Sequence, residues 1–165
     1  QYWCDKGYDY IGAPLYEFDG TIAPSKYIGI GNGGFSLHKI SSAIRVLKRY
    51  KNVYPLRDLY EWWSKYNTKG KIRYLPYILR MAVGIGRNCH DGLNNSKLNE
   101  DIFWGIYVSK SFDWYKVAPF EDALRFSMEF NCEKLLMLNN GVLPFGCHQW
   151  YKGEFLQFWS DKIKT

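Results

Sequence analysis

The stretch Gly31-Asn32-Gly33-Gly34-Phe35-Ser36-Leu37 puts three glycines into four positions and then runs directly into an apolar segment. Glycine costs backbone entropy, so it is kept where the chain needs a positive φ or where something must lie close against the backbone. On either side, Lys26 to Gly31 and Phe35 to His38 alternate with the period of two that marks a strand. Such a strand–glycine bend–strand unit has two readings: it wraps a ligand, or it is a hairpin carrying a bulge. The bend alone does not decide between them.

The chain around it has 165 residues, enough for one compact domain or a large part of a bigger protein. With 47% hydrophobic and 19% aromatic residues it has ample material for a core, which excludes a disordered chain. A net charge of +6 suits an anionic partner: nucleic acid, a phosphorylated sugar donor or an acidic membrane surface. The basic residues come in small groups on amphipathic segments, Lys48-Arg49 with Lys51 and Lys69 with Lys71 and Arg73, and read as solvated helix faces. No zinc-finger, helix-turn-helix or RNA-recognition signature accompanies them, so no nucleic-acid partner is expected. Cys4, Cys89, Cys132 and Cys147 show no close pairing, and free thiols are expected. Cys89-His90 and Cys147-His148 lack the two-to-four-residue ligand spacing of a zinc knuckle. No run of eighteen apolar residues provides a transmembrane segment. A cytoplasmic or membrane-associated location is the expectation.

Along the chain, Gly7 to Pro14 reads as a strand ending in a Gly–Pro turn, and residues 15–25 as a loop. Ser41-Ser42 offers a cap to a helix with Ala43, Ile44, Leu47 and Tyr50 on its apolar face. Leu56 to Tyr66 repeats the helical pattern, and Lys71 to Gly86 does so with a start or kink at Pro76. Gly86 to Lys97 reads as a polar loop. Asn99 then stands as N-cap to Glu100–Tyr107, with Ile102, Phe103, Ile106 and Tyr107 on one face. A strand at Trp114–Val117, a short helix at Glu121–Arg125 and a strand at Phe126–Glu129 follow. Leu135–Leu138 and Val142–Phe145 read as strand or loop around an Asn-Asn-Gly turn, and Tyr151–Lys164 as a helix. Strands and helices mix without strict alternation. The fold class is α/β, a mixed α+β sheet with flanking helices.

Three groups bear chemistry besides the bend. Glu100-Asp101 opens a helix, where main-chain N–H groups and the dipole favour negative charge. A carboxylate so placed is rigid and aimed outward, as a general base or metal ligand must be, and it is also ordinary first-turn chemistry. Pro144-Phe145-Gly146-Cys147-His148 brings a late histidine that is either a ligand or a hydrogen-bonded structural residue. Glu121 and Glu129 read as structural carboxylates fixing backbone N–H groups. Ser36 lies outside any nucleophile elbow, and no phosphate-binding P-loop is present.

Tyr10-Ile-Gly-Ala-Pro14, Gly31 to Leu37, Asn99-Glu-Asp-Ile-Phe103, Ala118-Pro-Phe-Glu-Asp-Ala123 with Phe126-Ser-Met-Glu129, and Pro144 to His148 occur in that order from about Tyr8 to Trp150. This series resembles a family of glycosyltransferases with a GT-A-type nucleotide-sugar fold. The order is similar to that of fringe-like and β1,3-galactosyltransferase-type enzymes. The resemblance implies a nucleotide-sugar donor and a glycan or other hydroxyl acceptor as partners. It implies Asp101, with Glu100 beside it, as catalytic base, and Gly31, Asn32, Gly33 and Gly34, with Trp104 and Trp150, as donor and acceptor contacts. His148 would be the ligand of a divalent metal, Mn or Mg, that holds the diphosphate. The short acidic DxD-type motif of such enzymes is missing, since Asp5, Asp9 and Asp19 are not so arranged. Residues 1–165 are therefore expected to be one domain, the C-terminal, acceptor-side part of a larger enzyme. The competing reading is a non-catalytic carbohydrate-binding or scaffold domain of the same fold.

Overall fold

The structure is a computed structural model that describes residues 1–16, 26–50, 56–83 and 99–163. The chain resolves into two compact units, Gln1–Ser42 with Asn99–Thr165, and Ala43–Leu98. Small strands mix with helices throughout the first unit, an α/β arrangement as expected. The polar loop at Gly86–Lys97, the Cys89-His90 pair and most of the loop at 15–25 lie outside the described residues.

The first unit is built on an interrupted antiparallel ladder. Strand β1 (Tyr10–Ile11) pairs with β4 (Leu37–His38), and β2 (Ala13–Tyr16) pairs with β3 (Tyr27–Gly31). Ile11 faces Leu37, yet Ala13 faces Gly31, so the partner strand jumps from 37 to 31 while the first strand advances by two. Residues 32–36 are thereby extruded from the ladder opposite Gly12. The bend is therefore not a hairpin: its flanking strands β3 and β4 pair with β2 and β1, and not with each other. Pro14 sits inside β2 opposite Ile30 and turns nothing.

The helix that begins at Glu100 is irregular. An α turn, α5 (Glu100–Ile102), runs into a π-helical segment, Phe103–Val108, and closes with α6 (Ser109–Ser111). Gly105 of the π segment lies flat against the backbone of β3, where a Cβ would occupy the position of the Ile30 carbonyl. Phe103 and Val108 are fully buried. Asn99 holds the N-cap position without a capping side-chain bond; its carbonyl accepts the Phe103 N–H at 3.2 Å.

Trp114–Val117 forms no strand of its own. It runs beside β1 through a single parallel bridge, Tyr10 with Val117, and hydrogen bonds from the Asp9 and Tyr10 N–H groups to the Lys116 carbonyl. Asp9 is buried and fixes this corner: one carboxylate oxygen accepts the Ser42 hydroxyl and the other the Lys116 N–H. Helix α7 (Phe120–Phe126) feeds β5 (Ser127–Met128), which pairs in parallel with β6 (Gly146–Cys147). Between them lies α8 (Cys132–Leu138), where the sequence suggested strand or loop. Cys132 and Leu135, three residues apart, bury one helical face with Leu124, Met128 and Trp159. The Asn-Asn-Gly turn ends this helix: the Gly141 N–H donates back to the Leu136 carbonyl at 2.8 Å, and Asn140 and Gly141 take positive φ. Trp159 comes from α9 (Gly153–Ser160), the expected C-terminal helix.

Helix α1 (Tyr2–Asp5) leads to an anchor on α7. The Tyr8 hydroxyl donates to Asp122 at 2.6 Å and Lys6 lies 3.1 Å from the same oxygen. The Tyr8 bond, helped by Lys6, holds the Asp122 carboxyl below its ordinary value of 3.8 against the opposing effect of burial. The folded chain then binds fewer protons at Asp122 than the unfolded one between those two values. Stability is therefore present above pH 3.8 and lost as pH falls through the lower, folded value. Thermal melts between pH 6 and 2 should show this loss in the wild type and a flatter profile in Asp122→Asn; parallel profiles would contradict the assignment.

Helix α2 (Ile40–Arg49) starts at Ile40, ahead of the serines expected to cap it. Its buried positions are Ser42 and Val46, four apart, while Ile44 and Leu47 of the expected apolar face are exposed. The second unit contributes α3 (Leu56–Ser64) and α4 (Thr68–Val83), and α4 runs through Pro76. Trp62 packs edge-on to Tyr66 at 4.9 Å and tilted to Tyr74 at 5.9 Å. No described helix is long and apolar enough to cross a membrane.

Candidate functional site

The extruded segment Asn32–Ser36 is held at both ends. Asn32 is buried with φ at 73°, and its N–H donates to Asp101 Oδ2 at 3.0 Å. Asp101 Oδ1 accepts the Ile102 N–H at 2.7 Å, so both oxygens of this carboxylate rest on main-chain donors. At the other end Phe35 packs on Phe126 and Phe145, with ring centroids 5.2 and 6.1 Å away. A Cβ on Gly146 would fall within the Phe35 ring. These anchors leave Gly33 and Gly34 exposed between them.

The two glycines are covered by different side chains. A Cβ on Gly33 would overlap the Glu100 carboxylate, and a Cβ on Gly34 would overlap the His148 ring at Nε2. The glycines thus serve close approach, and neither adopts a positive φ. Glu100 and His148 come from two separate elements more than forty-five residues apart in sequence and meet on the same two-residue stretch, while Asp101 holds the Asn32 N–H beside it.

His148 follows β6 directly, and Glu129 follows β5. Their strands pair Ser127 with Gly146 and Met128 with Cys147, and the next step of that register sets Glu129 beside His148. Nδ1 of His148 lies 2.9 Å from Glu129 Oε1. An ionised carboxylate only accepts, so toward ionised Glu129 the Nδ1 is the donor, and Nε2 is the ring nitrogen that lies against Gly34. Burial pushes the Glu129 carboxyl up, and the His148 hydrogen bond opposes that shift. The sequence reading gave Glu129 a structural role on backbone N–H groups; its partner is the histidine of the site. Nothing local in the sequence signals this pair, because it is the parallel register of β5 and β6 that sets Glu129 beside His148.

Tyr10 and His38 complete the floor. Their rings lie 4.6 Å apart, and the Ser36 hydroxyl is beside the Tyr10 phenol, whose pKa is driven up mainly by burial. Burial lowers the His38 pKa against the opposing charge of Glu100. Trp104, on the π segment, sets its ring against His38 at 5.4 Å, joining it to this group. Trp150 does not join it; the ring is exposed and packs edge-on to Tyr151.

Among the described residues no group of three or more His, Cys, Asp and Glu is disposed to hold a metal ion. With Nδ1 of His148 engaged by Glu129, only Nε2 is available to a cation, and the residues present do not make a metal centre by themselves. Cys132 is poorly placed for thiol chemistry: it is buried, its thiol is pushed up to about 11 by burial, and it donates to the Glu129 carbonyl at 3.2 Å.

Residues 1–148 match the family described as protein of unknown function (DUF5672), and the chain belongs to that family. The match takes in the glycine segment, the acidic helix start and Glu129, and it ends on His148, short of Trp150. No curated protein and no solved structure matches the chain.

Proposed function

We propose that this family member is the acceptor-side portion of a GT-A-like glycosyltransferase, moving a sugar from a nucleotide-sugar donor to a glycan or other hydroxyl acceptor. The observation that supports it is that Glu100 lies over Gly33, His148 over Gly34, and Asp101 on the N–H of the adjoining Asn32. The glycines make room for Glu100 and His148 to lie against the segment, and a sugar would meet the carboxylates and the imidazole held there. In an inverting transfer, Asp101 takes the proton of the acceptor hydroxyl. That oxygen then bonds to the anomeric carbon, and the bond to the diphosphate breaks with its electron pair leaving on the nucleotide. The main-chain donors on Asp101 use one lone pair of each oxygen and fix its direction; the remaining lone pairs can accept that proton. Trp104 offers an aromatic face near the acceptor. A divalent cation, were it to act in the transfer, would have His148 Nε2 as its ligand from the site described and would take its other ligands from the donor diphosphate.

The test is release of nucleoside diphosphate by the full-length protein from a panel of UDP- and GDP-sugars, with and without glycan acceptors. Acceptor-dependent release is expected. Glycan binding without release from any donor would contradict transfer and favour the non-catalytic carbohydrate-binding domain instead.

A further inference from the structure

Charge is divided unevenly between the two units. Residues 43–98 carry twelve Lys and Arg against three Asp and Glu, whereas the rest of the chain carries ten against thirteen. The basic excess of the whole protein therefore belongs to the smaller unit. Helix α4 shows how part of it is displayed. Ile72, Leu75 and Leu79 recur at the three- and four-residue spacing of one helical stripe, and they are 69%, 40% and 55% exposed. Lys69, Arg73 and Arg80 form the neighbouring stripe, also exposed. The opposite side of α4 turns Tyr74 and Tyr77 toward Trp62 of α3, with centroids 5.9 and 6.3 Å away. Tyr60 of α3 adds an exposed aromatic ring, 65% exposed, and Trp62 is itself 40% exposed.

An apolar stripe flanked by a cationic one is the pattern of a helix lying in the plane of a bilayer surface. A polyanion such as RNA would use the cationic stripe and leave the three aliphatic side chains in water, which argues against it. We propose that the α3–α4 unit docks the protein on an anionic phospholipid surface, with Ile72, Leu75 and Leu79 entering the headgroup boundary and Lys69, Arg73 and Arg80 meeting phosphate and carboxylate headgroups. The proposal stands independently of the transfer chemistry.

Vesicle flotation with the full chain tests it, comparing vesicles of phosphatidylcholine alone with vesicles containing phosphatidylserine. Binding only to the anionic vesicles, weakened by salt, is expected. Replacing Lys69, Arg73 and Arg80 together with Gln should weaken it on the order of a hundredfold, as three surface charges imply. Leu75→Ser with Leu79→Ser should weaken it through the apolar stripe. Circular dichroism of each variant, whose changed side chains are all exposed, checks that the helices persist. Absence of binding to anionic vesicles, equal binding to both vesicle types, or undiminished binding by the folded triple variant would overturn the proposal. So would retention by the wild type of an RNA or a second copy of itself in place of vesicles.

Discussion

Asp101→Asn is expected to lower sugar transfer by roughly 10²–10⁴-fold, the range that a positioned general base contributes. The substitution is not structurally silent. Asp101 accepts the Asn32 N–H with one oxygen and the Ile102 N–H with the other. An amide keeps one of these acceptors and turns its NH₂ toward the second donor, which costs about 1–3 kcal/mol of stability. The two effects separate in measurement. If the carboxylate is only a clamp, the variant melts earlier but the molecules still folded at assay temperature turn over at the wild-type kcat. If it is the base, kcat collapses well below the melting transition. Glu100→Gln provides the comparison, because Glu100 is exposed and lies over Gly33. It should alter substrate affinity more than kcat.

The second large effect is Gly34→Ala. The added methyl would enter the His148 ring, which the Glu129 bond holds in place, so ring or loop must shift. Overpacking of this kind costs about 1–3 kcal/mol, and displacing Nε2 should remove most activity. Gly33→Ala meets only the end of the flexible Glu100 side chain and should cost clearly less. The double variant Gly34→Ala with His148→Ala removes the obstacle and should recover much of the lost stability, a coupling readable in thermal melts. Additive losses would mean that His148 does not lie against Gly34.

What sequence could and could not foresee follows from how local each determinant is. Three glycines in four positions announced a close approach, because glycine density is a local property with few physical causes. The helix start at Glu100 was equally legible from its acidic pair. The extrusion of Asn32–Ser36 was not, since it depends on the register of β1 against β4 and of β2 against β3, and register is fixed by long-range pairing. Glu129 was misread for the same reason: its partner His148 is brought by a parallel strand pair. The Leu135–Leu138 run was ambiguous because four apolar residues in a row carry no period. The choice of helix came from burial of Cys132 and Leu135 against Trp159, outside the run's own neighbourhood. Of the apolar face expected after Ser42, Tyr50 is buried and Ala43 half-buried, but Ile44 and Leu47 are exposed, and Val46, outside that face, is buried.

The most direct test of the central claim, that the extruded glycine segment, the Glu100-Asp101 helix start and His148 form one sugar-handling site, is amide chemical-shift mapping with a nucleotide sugar and with candidate glycan acceptors. The arrangement predicts that shifts gather at Asn32–Ser36, Glu100–Trp104, Glu129 and His148. Shifts confined to Trp150 and Tyr151 or to residues 43–98, with the glycine segment silent, would contradict it.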